Sequence, residues 1–77
     1  MITANRLDAT EVSAALAGFE LVVANAVTLD HVWRKQLLLR TDGTFVVRKR
    51  HRHEGGLNEY VLAGTLEECV EAYNLLS

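Results

Sequence analysis

Apolar residues recur at helical spacing near the N-terminus, directly after a pair of residues that can cap a helix. Asp8 can accept the first free backbone N–H groups, and Glu11 lies three residues later, as in a capping box. Gly18 suits the position just beyond the end of a helix. The apolar stripe consists of Val12, Ala15, Leu16 and Phe19. This pattern predicts a short helix over about 9–17.

The same signals recur near the C-terminus. Thr65 and Glu68 have the spacing of a second capping box, and an apolar stripe follows them at helical spacing. The stripe consists of Leu66, Val70, Tyr73 and Leu76, with Cys69 beside it. A final helix is therefore predicted to begin after Thr65.

Between the helices, the segment 19–29 is rich in valine and leucine and allows two interpretations. From residue 19 to residue 29, every second residue is apolar except Asn25. This segment therefore has the pattern of a strand that is covered on both faces. Alternatively, the first helix runs through Gly18 to about Ala26, since a glycine inside a helix costs only ~1 kcal/mol relative to alanine.

Residues 32–52 predict a β-hairpin that turns near Gly43. A two-residue loop would pair Thr41 with Thr44 and would place charged and apolar residues on both faces. A three-residue loop, with Gly43 in the left-handed conformation, pairs Arg40 with Thr44 instead.

The three-residue loop sorts the two faces of the hairpin by chemistry. One face then carries Trp33, Leu37, Leu39, Phe45 and Val47. The other carries Arg34, Gln36, Arg40, Arg48, Arg50 and Arg52, with Leu38 and Val46 among them. If one strand slipped by one residue, each of its side chains would move to the other face of the sheet. We therefore predict the register that places the core residues on one face and the charged residues on the other.

A further strand over about 58–63 completes the pattern. We therefore expect an α+β fold in a single domain over 1–77, with the order α-β-β-β-α or α-β-β-β-β-α. Two helices would cover one face of a small antiparallel sheet, and its other face would be open to water. An open edge of this sheet would allow a homodimer.

Composition narrows the class of protein. Apolar residues make up 49% of the 77 residues, which is enough for a folded core. The apolar runs are too short to span a membrane, and the N-terminal residues do not resemble a signal peptide. Cys69 is the only cysteine, and we expect it to pack as a small hydrophobic residue. These features favour a cytoplasmic protein without a membrane partner.

Charge is divided unevenly along the chain. The net charge is −2, yet seven of the eight basic residues lie between Arg34 and Arg52. The segment from His31 to His53 contains Asp42 as its single acid and carries +6. The remainder contains Arg6 and nine acids and carries −8. This asymmetry within one small domain is the main functional signal in the sequence.

The arginines of the hairpin are the candidate partner-binding residues. Arg34 faces Arg50 in the predicted register, and like charges at such a position destabilise a sheet. A negative partner would explain the arrangement, either an acidic protein surface or nucleic-acid phosphate. A solvated face, with arginine heads paired to Glu20 or Glu59, is the alternative without a partner. The candidate residues are Arg34, Arg40, Arg48, Arg50 and Arg52.

Metal binding and catalysis find less support. His31, His51 and His53 fall near one end of the hairpin, but Lys35 and Lys49 share their face and would repel a cation, so no metal or other cofactor is expected. The sequence contains no phosphate-binding glycine loop and no nucleophile with an activating partner, so an enzyme is not expected.

The sequence therefore predicts a small binding protein that acts by protein–protein contact as an adaptor or inhibitor. A phage- or plasmid-encoded inhibitor of a nucleic-acid-handling complex is one version, and the larger protein or nucleoprotein complex would be its partner. In that version the active surface could be acidic, formed by Glu67, Glu68 and Glu71. Direct nucleic-acid binding through the arginines is the alternative, against which stand the overall acidity and the expected lack of an exposed aromatic residue.

Overall fold

A computed structural model describes residues 1–16, 21–53 and 57–77. Its elements are α1 (Ala9–Leu16), β1 (Val22–Val27), β2 (Trp33–Leu39), β3 (Phe45–His51), β4 (Asn58–Gly64) and α2 (Leu66–Leu75). The four strands form one antiparallel sheet in the order β1-β2-β3-β4. The α+β fold is confirmed in its α-β-β-β-β-α form. In the three described stretches, no helix has the length and apolar character needed to cross a bilayer.

Strand β1 settles the ambiguity over the segment after α1. Val22–Val27 pairs with β2, so the interpretation that α1 continues to Ala26 is wrong. The pairing register shifts between Val22 and Ala24, and both Val23 and Ala24 are buried in the core. This bulge lets two consecutive residues contribute to the core. Three further predictions concern residues outside the described part of the chain. They are Gly18 as the residue after the helix, Phe19 as part of its apolar stripe, and Glu20 as a partner of an arginine head.

The turn between β2 and β3 has the predicted three-residue loop. Gly43 has a φ of 88°, and the Arg40 N–H donates to the Thr44 carbonyl at 2.8 Å. The Asp42 carboxylate accepts from the Thr44 N–H at 3.0 Å and from the Thr44 hydroxyl at 2.7 Å. These bonds lower the pKa of Asp42. The predicted pairs follow, with Arg34 opposite Arg50 and Leu37 opposite Val47.

The core lies between the two helices and one face of the sheet. Leu37 and Val47 are fully buried beneath α2, and Val12 of α1 is fully buried as well. Among the described residues, the core cluster consists of Leu7, Val12, Val23, Ala24, Leu37, Val47, Cys69, Val70 and Tyr73. Phe45 packs against this cluster, whereas Trp33 lies on the same face without joining it. Burial raises the pKa of the Cys69 thiol, and its packing as a small hydrophobic residue is confirmed.

Lys35 occupies the core, although the sequence placed it with Lys49 beside the histidines and gave no sign that it would be buried. Its side chain is fully buried, and Nζ donates to the carbonyls of Asn5 at 2.6 Å and Tyr73 at 2.8 Å. Nζ also lies 4.2 Å from the centroid of the Tyr73 ring. Burial lowers the pKa of Lys35. The ammonium group joins the N-terminal segment to the last turn of α2, where the helix dipole favours a cation.

The N-terminal segment is held to α2 by further bonds. The buried Tyr73 donates its hydroxyl to the Ala4 carbonyl at 2.8 Å, and burial raises its pKa to about 12. Asn74 accepts from the Leu7 N–H at 2.7 Å and donates to the Leu7 carbonyl at 3.0 Å. These bonds connect residues that are far apart in the sequence, and they hold the N-terminal segment against the C-terminal helix.

The two edges of the sheet differ. At the β1 edge, Ile2 makes a parallel bridge to Ala24 and bonds to Val23 and Asn25. Strand β4 forms the opposite edge, with no further strand beside it in the described residues. A register shift at Val61 interrupts its pairing with β3, and such bulges discourage edge-to-edge association. A homodimer through β4 stays a prediction.

The helix caps follow the sequence signals to different extents. At α2, the Thr65 side chain accepts from the Glu68 N–H and the Glu68 side chain accepts from the Thr65 N–H, so the predicted capping box is complete. At α1, Asp8 accepts from the Thr10 N–H at 2.8 Å. The described bonds include neither a bond from the Glu11 N–H to the Asp8 side chain nor one from the Asp8 N–H to the Glu11 side chain, so Asp8 caps α1 without the predicted capping box.

We expect Thr65→Ala to lower the free energy of unfolding by about 1 kcal/mol, because it removes one side of the capping box. Urea melts monitored by circular dichroism measure the change. Thr41→Ala, an exposed substitution in the β2–β3 turn, serves as a control. Equal stability of the Thr65→Ala variant and the wild type would contradict the role assigned to this cap.

The Tyr60→Phe variant leaves Tyr73 as the only tyrosine, since the chain contains two. We expect the Tyr73 phenol to ionise at about 12 in the folded protein, compared with the ordinary value of 10.0. Because the folded pKa exceeds the unfolded one, this contribution to stability is present below pH 10 and is lost as the pH rises toward 12. Tyrosinate absorbance across a pH titration measures the pKa of this phenol. If the phenol ionised near pH 10 while the circular-dichroism spectrum stayed native, the hydroxyl would not be buried as described.

Candidate partner-binding face

The five candidate arginines share the sheet face that the helices leave uncovered. Successive strand residues point to opposite faces, so the even-numbered residues of β2 and β3 point away from the core. Arg34, Arg48 and Arg50 lie within the strands, and Arg40 and Arg52 follow directly beyond the strand ends. We call these five residues the arginine face. All are exposed except Arg48, which is half-buried.

Arg34 and Arg50 form a cross-strand pair of like charges. They are directly opposite in the ladder, and neither makes an ion pair or side-chain hydrogen bond with any described residue. Glu59 pairs instead with Lys49, at 3.4 Å on the opposite face of the sheet. The expectation that Glu59 neutralises an arginine head is therefore wrong, because its position in β4 turns it toward the helix-covered side.

Arg48 and Arg52 are held by neutral acceptors. Arg48 Nε donates to the side-chain oxygen of Gln36 at 2.7 Å, which leaves the Gln36 amide group as a donor. Arg52 Nη1 donates to the His31 carbonyl at 3.3 Å, and the Arg52 N–H donates to the Val32 carbonyl at 3.0 Å. These bonds orient the two guanidinium groups without cancelling their charge.

The turn that supports Arg52 contains an uncommon backbone conformation. His31 has a φ of 60°, in the left-handed region that few non-glycine residues occupy. The Asp30 carboxylate accepts from the Thr28 hydroxyl at 2.6 Å and from the Val32 N–H at 3.0 Å, which lowers its pKa and fixes the turn. The His31 carbonyl is thereby directed to the arginine face.

A depression of about 460 Å³ occupies the end of the sheet beside this turn. It is lined by Arg34, Gln36, Arg50, His51, Arg52 and His53. Among the described residues, the lining includes no carboxylate, while guanidinium groups and the Gln36 amide supply hydrogen-bond donors. The depression therefore suits an anion. The sequence predicted that Gln36 shares the face of the arginines, but not that His51 and His53 join them in a concave site.

Tyr60 adds an aromatic side chain to the arginine face, contrary to the expectation that no aromatic residue is exposed there. It pairs with Arg48, and 62% of its surface is exposed. The register shift at Val61 explains the difference. Without it, the pairing of Val47 with Leu62 would place Tyr60 on the helix-covered side, whereas the extra residue moves Tyr60 to the arginine face.

The three histidines do not form a metal centre. The His53 N–H donates to His51 Nδ1 at 3.1 Å, which engages that ring nitrogen. The His51 ring also lies edge-on to Trp33, with 4.9 Å between centroids. Across residues 1–16, 21–53 and 57–77, no group of three histidine, cysteine or acidic residues is arranged to hold a metal ion.

The acidic residues of α2 have separate environments. Glu68 is engaged in the capping box, and its bonds from Thr65 lower its pKa. Glu67 and Glu71 line a second depression of about 310 Å³ together with Arg6. The structure therefore brings two of the three predicted acidic residues to one site and assigns the third to the helix start.

Arg50→Thr should raise the free energy of unfolding by roughly 0.2–1 kcal/mol, because it relieves the like-charge pair with Arg34. The gain should shrink in high salt, which screens exposed charges. Arg40→Thr makes the same charge change at a position opposite Thr44 and should have less effect. Urea melts at two salt concentrations measure both variants, and equal gains would show that net charge, and not this pair, is responsible.

Comparison with known proteins adds no relative from which a function could be transferred. No protein-family model, curated protein or solved structure matches this chain. Its function is therefore argued from the geometry and charge of the arginine face.

Proposed function

We propose that this chain is a non-enzymatic binding protein that lays its arginine face on an acidic surface of a larger protein. The supporting observation is the Arg34–Arg50 pair, in which two guanidinium groups face each other without a carboxylate partner among residues 1–16, 21–53 and 57–77. Such a pair costs stability in the isolated protein. An acidic surface would neutralise both groups through charge-assisted hydrogen bonds.

The composition of the face supports a protein partner. Arginine and tyrosine are enriched at the centres of protein interfaces, and lysine is depleted there. The arginine face includes Tyr60, whereas both lysines of the hairpin point to the other face. An apolar row crosses the sheet beside the arginines. It consists of Val22, Leu38, Val46 and Ala63, of which Val46 is itself buried and the other three retain exposed surface. Apolar contact next to directed charge is the pattern of a specific interface.

The charge distribution would also orient this protein as it approaches an acidic partner. The segment 31–53 carries +6 and the rest of the chain −8, with Glu67 and Glu71 on α2, across the molecule from the open sheet face. An acidic partner therefore attracts one side of the molecule and repels the other, which favours docking through the arginine face. The role is that of an adaptor or inhibitor, and the free buried thiol of Cys69 suits the reducing cytoplasm.

The triple variant Arg48→Ser, Arg50→Ser, Arg52→Ser tests this proposal. It should fold at least as well as the wild type, because adjacent like charges are removed. It should nevertheless fail to capture the acidic partner from a nuclease-treated cell lysate. The Glu67→Gln, Glu71→Gln double variant, which keeps the capping residue Glu68, is the control and should retain the partner. The reverse pattern would move the binding surface to α2.

Nucleic-acid binding is the second candidate, and Tyr60 is the observation that favours it. An exposed aromatic ring beside Arg48 can stack on a base while arginines contact phosphates. In that case single-stranded oligonucleotides bind with a log–log salt slope of roughly −3 for about four neutralised phosphates. Tyr60→Ala should then weaken binding at least about fivefold, and Tyr60→Phe should preserve it. Fluorescence anisotropy with a labelled oligonucleotide separates this outcome from protein binding.

A further inference from the structure

We propose that the depression at the end of the arginine face binds the phosphoryl group of a phosphate monoester on a side chain of the partner protein. This inference rests on the proposed function, since the phosphorylated side chain belongs to the protein that the arginine face contacts. It goes further by assigning one subsite and one chemical group to that surface.

The lining of the depression has the chemistry that a dianion requires. Arg34 and Arg50 have no side-chain partner in the described part of the chain, and Arg52 uses one nitrogen on the His31 carbonyl. Gln36 offers its amide group, because its oxygen already accepts from Arg48. A phosphate monoester carries −1.5 to −2 charges at neutral pH and has three acceptor oxygens, so it can be shared among several such donors.

Part of the lining is fixed in advance. Arg52 is anchored to a turn in which His31 adopts the left-handed conformation and Asp30 holds the backbone. Uncommon backbone conformations recur at binding sites, where the surrounding structure enforces them. Here the conformation directs the His31 carbonyl to the guanidinium group, which reduces the freedom that Arg52 must lose when an anion binds.

The surroundings favour a phosphorylated side chain over a nucleotide. In the described part of the chain, neither Trp33 nor Tyr60 offers a ring to the depression, because Trp33 lies on the other face beneath Lys49 and Tyr60 is not among the lining residues. The rings in the lining are the small imidazoles of His51 and His53, and His51 already packs edge-on against Trp33. Exposed leucines adjoin this end of the sheet. Leu29 belongs to the turn that holds His31 and is 74% exposed, and Leu57, whose carbonyl accepts from the His51 N–H, is 65% exposed. Apolar residues beside a phosphorylated one would contact them.

The test is a titration of the full chain with O-phosphoserine and inorganic phosphate, followed by ¹H–¹⁵N NMR spectra. We expect saturable shifts confined to amides in 33–36 and 50–53, and much weaker effects of unphosphorylated serine. Arg34→Gln and Arg50→Gln should each weaken binding roughly three- to tenfold. Arg40→Gln, with the same charge change on the same face but outside the depression, should change it less than about twofold. Native spectra of each variant establish that it folds.

Three outcomes would overturn the inference. The first is an absence of saturable shifts, and the second is equal weakening by Arg40→Gln, which would indicate only general attraction of anions. The third is tighter binding of a 5′-phosphorylated oligonucleotide than of a phosphoserine peptide with leucine on either side.

If phosphate does not bind but the Arg48, Arg50, Arg52 triple variant still loses its acidic partner, the proposed function stands and the subsite fails. If that variant also keeps its partner, both proposals fail.

Discussion

The conformation of the β2–β3 turn is the constraint on which the rest of the sheet depends. Gly43 adopts a positive φ that permits a three-residue loop, and the Asp42 carboxylate holds that loop through Thr44. Because side chains alternate along a strand, the loop length decides the face that every hairpin residue takes. Leu37 and Val47 are directed under the helices by the same register that gathers the arginines on the open side.

The helix-covered face of the sheet also determines how the two ends of the chain are held together. Lys35 lies on the same face as Leu37 and is buried with it. The main-chain carbonyls of Asn5 and Tyr73 accept hydrogen bonds from its ammonium group. A buried charge without a carboxylate is costly unless such acceptors are in place. The N-terminal segment and the end of α2 are therefore parts of one polar network. This network lies on the helix-covered side of the sheet, so the arginines on the opposite side take no part in it.

Local signals predicted the parts of the structure that local chemistry determines. The capping box at Thr65 and the register at Gly43 each depend on neighbouring residues, and both were predictable from sequence. Tyr60 was not, because the bulge at Val61 is a property of the β3–β4 pairing and has no marker in the sequence. The burial of Lys35 was equally inaccessible, since its acceptors are 30 and 38 residues away. The arginines were identified, but their concave site requires the turn at His31.

The most direct test of this account is the pairing register of β2 and β3 in solution. The bond from the Arg40 N–H to the Thr44 carbonyl makes even-numbered pairs the hydrogen-bonded ones, so Leu37 and Val47 form a close non-hydrogen-bonded pair. The account predicts a strong NOE between the α-protons of Leu37 and Val47. An NOE between the α-protons of Leu38 and Val47 would instead indicate a two-residue loop. That result would distribute the arginines over both faces and contradict the central claim.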